Sequence, residues 1–99
     1  METKEIIEAH KRRLRGEPDG KKACFEGASL KGASFYWADL EGANFKHADL
    51  RYADFRGANL CGADLRGADL RCAYLEGTDL EGAKLDGANL KDVNFEGKP

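Results

Sequence analysis

Ala58-Asn59-Leu60-Cys61-Gly62-Ala63-Asp64-Leu65-Arg66-Gly67-Ala68-Asp69-Leu70-Arg71-Cys72 is one five-residue rule written three times. In each quintet a large apolar residue (Leu60, Leu65, Leu70) comes two positions after Ala and two before Gly or its substitute. Worked outward in both directions, the rule holds from Ala23 to Gly97. The large residues are Phe25, Leu30, Phe35, Leu40, Phe45, Leu50, Phe55, Leu60, Leu65, Leu70, Leu75, Leu80, Leu85, Leu90 and Phe95. Ala precedes each by two except at Thr78 and Val93, and Gly gives way to Trp37, His47, Tyr52, Cys72 and Asp92.

A period of five suits neither regular element. On a straight helix, about 100° per residue winds such a series around the whole cylinder and leaves no buried face. In a straight strand an odd period throws successive large residues to opposite sides. The chain must therefore turn once per unit, and the Gly position is where a permissive backbone costs least. Within a unit, Ala and Leu or Phe are two apart and point to one side of a short extended segment. Their neighbours, such as Asp39 and Glu41 around Leu40, point outward.

Units such as Ala38-Asp39-Leu40-Glu41-Gly42 and Ala68-Asp69-Leu70-Arg71-Cys72 resemble the A(D/N)LXX pattern of the pentapeptide-repeat family, over fifteen consecutive units. The resemblance implies an all-β solenoid, a right-handed β-helix of square cross-section with four units to a coil. Fifteen units then make just under four coils. Residues 1–22 are expected to form an N-terminal capping helix and turn, 23–97 the β-helix and 98–99 a tail.

Four units per coil stack residues twenty apart. The first face then carries Phe25, Phe45, Leu65 and Leu85; the second Leu30, Leu50, Leu70 and Leu90. The third carries Phe35, Phe55, Leu75 and Phe95; the fourth Leu40, Leu60 and Leu80. Each buried Leu or Phe should contribute roughly 1.5–3 kcal/mol by leaving water. Solenoid ends expose strand edges and an open core, so they need caps. Thr3 to Arg15 reads as a helix with Thr3 as N-cap and Ile6, Ile7 and Leu14 on its apolar side, ended by a turn over Gly16 to Gly20. Lys11, Arg12, Arg13 and Arg15 form either a basic contact patch or the solvated face of that cap. No second helix follows Phe95. A last coil of Leu80, Leu85, Leu90 and Phe95 is expected to offer an apolar end-face where two chains meet.

Composition narrows the function. The formal net charge of −2 gives no overall drive toward nucleic acid or membrane. No apolar run is long enough to span a bilayer and the first ten residues lack a secretory signal's apolar segment, so a cytoplasmic location is expected. Cys24, Cys61 and Cys72 show no CxxC spacing and suggest neither a metal site nor a disulfide framework. His10 and His47 have no third partner and read as packing or solvent-facing residues. No nucleophile motif or phosphate-cradling loop appears, so neither enzyme activity nor a cofactor is expected.

Function must then lie in the outward columns. On the second face Lys31, Arg51, Arg71 and Lys91 form a basic ladder, about 4.8 Å from one to the next, offset by Asp49 and Asp69 beside it. The fourth face carries Asp39, Glu41, Asp79 and Glu81 with Asn59 and Cys61 between them and no basic residue. Tyr36 and Trp37 depart from the repeat on the third face, with Arg56 one coil beyond and Tyr52 at the neighbouring corner. Exposed Trp, Tyr and Arg together are residues of binding hot spots.

The resemblance also implies an activity, since some family members imitate duplex DNA and occupy the DNA site of a gyrase or another DNA-handling protein. A rod of about 18 Å at sheet spacing replaces about five base pairs. That length suits a CRISPR surveillance complex or a restriction enzyme, and a topoisomerase if two rods join end to end. The expectation is a non-catalytic inhibitor of phage or mobile-element counter-defence, partnered by a DNA-binding protein through Asp39, Glu41, Asp79 and Glu81. The alternative is a general interaction scaffold using Tyr36, Trp37, Tyr52 and Arg56.

Overall fold

The computed structural model describes residues 2–95. Residues 96 and 97 of the expected repeat and the expected 98–99 tail lie outside the described residues. Within them, parallel bridges join Cys24 to Asn44, Ser29 to Asp49, Ser34 to Asp54 and Asp39 to Asn59, and the same step of twenty repeats up to Tyr74 and Asn94. The coil therefore closes every four units, and the columns read from the sequence are physical columns. The molecule measures 43 × 24 × 23 Å, an elongated body with two nearly equal short axes.

Each unit holds its neighbour with a fixed set of bonds. The Leu50 amide donates to Asp69 O at 2.8 Å and the Asp69 amide donates back to Ala48 O at 2.9 Å. The Tyr52 amide reaches Arg71 O at 3.0 Å, and the Ala53 amide closes the corner on Leu50 O at 3.0 Å. The extended stretch of each unit is so short that pairing is confined to single bridges between corners. At each corner the residue two after Leu or Phe has positive φ, and Trp37, His47, Tyr52, Cys72 and Asp92 adopt it at 59–62° without being Gly. Such a residue gives up roughly 1–2 kcal/mol of backbone preference. At Trp37, His47, Tyr52 and Cys72 an amide bond to the next coil holds the corner there.

The interior is apolar and graded. Phe25, Phe35, Phe45 and Phe55 are buried, stacked within columns at 5.0 and 4.9 Å and edge-to-face across them at 5.6–5.7 Å. Such pairs add about 0.5–1.5 kcal/mol beyond their area. From Leu60 to Leu75 the aliphatic columns stay buried. Leu80, Leu85 and Leu90 are only half-buried, and Phe95 is 48% exposed.

At the other end lies a helix, α1 (Thr3–Leu14). Its N-cap is Glu2 and not Thr3: the Glu2 amide donates to Glu5 Oε1 at 3.0 Å, one half of a capping box. The expected range ran one residue too far, because Arg15 is the C-cap and Gly16 follows at φ +76°. The Gly16 amide donates to Arg13 O and the Glu17 amide to Arg12 O, a Schellman ending. Ile6 and Ile7 pack against the first coil as expected, but Leu14 is exposed and Ala9 and His10 take the buried positions. Leu14 sits in the last turn, where it lines an open cleft beside Asp39. Gly20 brings the chain back so tightly that a Cβ there would collide with the Arg13 backbone. The Lys21 amide then donates to Ala9 O at 3.0 Å and delivers Ala23 to the first unit.

Candidate protein-binding surfaces

The fourth face has the composition expected of it. Bridges from Asp39 to Asn59 and from Asn59 to Asp79 align the two aspartates along the rod. Among the described residues none of Asp39, Glu41, Asp79 and Glu81 forms an ion pair. All four are exposed. Asp79 Oδ1 accepts the Glu81 amide at 3.1 Å, and that bond, with Cys61 beside it, lowers the Asp79 carboxyl below its ordinary value. The reciprocal contact with Asp79 pushes the Cys61 thiol up, which leaves it a poor nucleophile at neutral pH. Asp39 also lines a shallow cleft with Lys11, Leu14 and Arg15, so the acidic face begins beside the basic end of α1.

The second face differs from a bare basic ladder. Arg51 donates through Nε to Asp49 Oδ1 at 2.8 Å and through Nη2 to Asp49 Oδ2 at 2.7 Å. Arg71 grips Asp69 in the same two-point way at 2.9 and 2.6 Å. The pattern recurs at Asp54–Arg56 on the third face and Asp64–Arg66 on the first. In every case the aspartate also accepts the arginine's own backbone amide, so one carboxylate fixes both corner and side chain. The Arg51 clamp holds Asp49 down to about 2, and the Arg66 clamp lowers Asp64 as well. Half of the positive charge in the repeat is thereby neutralised where it stands, while Lys31, Lys46, Lys84 and Lys91 form no ion pair among the described residues. The Asp-x-Arg spacing was in the sequence; its meaning needed the corner geometry that turns i and i+2 toward one another.

The aromatic cluster is built on the third face but with a changed membership. Trp37 is 68% exposed and Tyr36 54%, and their rings meet edge-on at 5.8 Å. The Arg56 guanidinium lies 5.2 Å from the Tyr36 ring and 5.9 Å from the Tyr74 ring, so Tyr74 joins the cluster. Sequence reading missed Tyr74, although its place before Leu75 on the same face was a usable signal. Tyr52 is elsewhere: its ring faces Lys31 at 5.9 Å on the second face. The Trp37 indole lies flat over Gly57, the corner one coil further on, where a Cβ would meet the ring at 2.6 Å. His47 covers Gly67 in the same manner. At these two corners glycine twenty residues later makes room for the ring, whereas the Tyr52 corner is followed by Cys72.

The described residues contain no group of His, Cys, Asp and Glu arranged to hold a metal ion. No helix among them is long and apolar enough to cross a membrane.

Comparison with known proteins agrees with this geometry. The family of pentapeptide repeats matches in eight copies, over residues 21–46, 28–67 and 62–97. A pentapeptide repeat protein of the Arabidopsis thaliana thylakoid lumen is 39% identical, with 75% of this chain and 55% of that chain covered and a TM-score of 0.53. A pentapeptide repeat protein of Nostoc PCC 7120 is 31% identical over 98% of this chain and 87% of that one, with a TM-score of 0.48. The plasmid-mediated fluoroquinolone resistance protein QnrB1 is 26% identical over 76% and 49%, at a TM-score of 0.39. The chain thus spans about half the length of the Arabidopsis protein. No curated protein matches it. On repeat, register and family match together, this chain belongs to the pentapeptide-repeat family.

Proposed function

We propose that this right-handed, four-sided rod is a non-catalytic inhibitor that imitates a short DNA duplex and occupies the DNA site of a DNA-handling protein in the cytoplasm. One observation supports it above the others. Arginine clamps neutralise Asp49, Asp54, Asp64 and Asp69, whereas Asp39, Glu41, Asp79 and Glu81 remain unpaired among the described residues. Four free carboxylates thus share the one face without a basic residue, while Glu26, Glu76, Asp86 and Asp92 are spread over the other three. Two coils separate Asp39 from Asp79, about 10 Å at sheet spacing and about three base-pair steps. A partner's Lys and Arg groups that otherwise meet phosphates would meet these carboxylates. A CRISPR surveillance complex, a restriction enzyme or a topoisomerase are the classes of partner that fit, and phage or mobile-element counter-defence is the setting.

Duplicating the rod would lengthen the imitation. The half-buried Leu80, Leu85 and Leu90 with exposed Phe95 favour end-to-end pairing of two chains through the last coil. Light scattering across micromolar concentrations tests this, and a monomer throughout rejects it.

The second reading, a scaffold for an unrelated protein, rests on the exposed Tyr36, Trp37, Arg56 and Tyr74 cluster, with Tyr52 as a separate contact. Capture of partners from host lysate, with and without competing duplex DNA, separates the two. Mimicry predicts salt-sensitive capture that duplex DNA displaces and that the variant D39N/E41N/D79N/E81N loses. Capture that survives this variant but fails on Trp37→Ala assigns the scaffold instead.

A further inference from the structure

Each unit of the rod closes on its predecessor through one corner bond. The Ala amide donates to the carbonyl of the large residue three positions back, Ala28 to Phe25 and Ala33 to Leu30, both at 3.0 Å. Ala23 opens the first unit, and the residue three positions before it is Gly20, part of the return from α1. The Ala23 amide donates instead to Nδ1 of His10, at 2.9 Å. An imidazole on the capping helix therefore takes the acceptor place that a preceding unit would fill.

That use fixes the state of the ring. Nδ1 accepts a hydrogen bond, so it carries no proton, and the ring's one proton sits on Nε2. The side chain is 0% exposed, the one polar residue among the buried ones of the described residues. Nε2 is enclosed without a hydrogen-bond partner. A second proton would have to enter at Nδ1, where it would face the Ala23 N–H, donor against donor. The corner bond and the charge cannot coexist.

The surroundings do not rescue the charged form. From the first coil Asp39 and Glu41 favour it, and the Glu41 backbone also bears on the ring without closing a hydrogen bond to Nε2. From α1 itself Arg13 opposes it. Burial outweighs these and lowers the His10 value below the ordinary 6.5.

We propose that His10 is a proton-sensitive latch: neutral, it holds α1 on the first coil, and protonated, it frees the helix and bares the rod's N-terminal edge. The buried end of Phe25, Leu30 and Phe35 and the outermost backbone of the coil would then be open to pairing. The sign follows from linkage. Protons bind more readily to the released ring, so closure is complete above 6.5 and weakens as pH falls from 6.5 toward the lowered value. The four Asp–Arg clamps lie outside this window, since their carboxylates stay ionised there.

Proton NMR of the full chain between pH 7.5 and 5 tests the latch, reading the His10 ring resonances together with amide exchange. The expected result is a His10 titration below 6.5 and an Ala23 protection factor that falls by up to about tenfold per pH unit. The Leu65 amide should hold its protection across the same range. In H10Q the carboxamide oxygen can accept from Ala23 without titrating, so Ala23 protection should become independent of pH. His10 titrating at or above 6.5 with Ala23 protected throughout would overturn the proposal, as would H10Q losing protection in parallel with the parent. Should H10Q fail to seat its helix, the parent titration decides alone.

Discussion

The coil of residues 43–62 and the coil of residues 76–95 are written by the same five-residue rule and turn the same corners, yet they differ in burial and in charge pairing. In the first, Phe45, Leu50, Phe55 and Leu60 are sealed from solvent. In the second, Leu80, Leu85 and Leu90 are half-buried and Phe95 is exposed. The middle of the rod pins its charges with Asp–Arg pairs, while Asp79, Glu81, Asp86 and Asp92 near its end form no ion pair among the described residues. A unit's sequence therefore specifies its shape, but its burial is supplied by the coils above and below. The stability of a given position should follow its place along the axis more than its residue type.

The sharpest way to break that comparison is to place one charge in each coil type. Leu65→Asp puts a carboxylate into a fully enclosed column, at a cost of several kcal/mol that approaches a small domain's whole stability. Circular dichroism should show no folded population. Leu90→Asp, in a half-exposed position, should lower the melting temperature and keep the folded spectrum. Equal outcomes would mean that axial position does not govern burial.

A smaller effect separates two corners. Gly57→Ala and Gly62→Ala both place a Cβ at φ near +70°, for about 1–2 kcal/mol each. Only Gly57 also lies under the Trp37 indole. Its substitution should add a few tenths of a kcal/mol and shift the Trp37 fluorescence, whereas Gly62→Ala should leave the emission unchanged. Equal emission in both variants would show that the indole does not rest on that corner.

The smallest effect is electrostatic. Asp49 has its ordinary value of 3.8 lowered to about 2, so its clamp stabilises the fold fully above 3.8 and is lost as pH falls through about 2. Because these side chains are about one-third exposed, solvent limits each clamp to about 1 kcal/mol or less. Melting between pH 5 and 2 should therefore be less acid-sensitive in Asp49→Asn than in the parent. If Asp49→Asn melts with the parent's pH profile, the clamps carry no stability.

Most of the rod was legible because one rule, repeated fifteen times, leaves a single self-consistent geometry: Leu65 must sit over Phe45, and Asp39 must sit beside Asn59. The acidic face and the Tyr36–Arg56 contact followed from counting by twenty. What resisted reading were positions where the repeat meets something other than itself. Thr3 looked like a cap, but Glu2 and Glu5 cap one another. Leu14 looked like core, but it is exposed in a cleft beside Asp39. His10 gave no sign of its role, because the missing acceptor it replaces belongs to a unit that the sequence never writes. The end of α1 beside Asp39 likewise depends on how the helix is laid across the coil, which periodicity does not encode.

The central claim is the closure of a coil every twenty residues. Cys24 lies opposite Asn44, whose amide approaches the Cys24 sulfur at 3.6 Å. In a chain with Cys61 and Cys72 changed to Ser, mild oxidation of Asn44→Cys should produce an intrachain disulfide with Cys24, read as a loss of two free thiols in the monomer. Asp39→Cys and Asp49→Cys, fifteen and twenty-five residues from Cys24, should keep both thiols free under the same conditions. Cross-linking at either of those spacings in preference to twenty would contradict the register on which every surface described above depends.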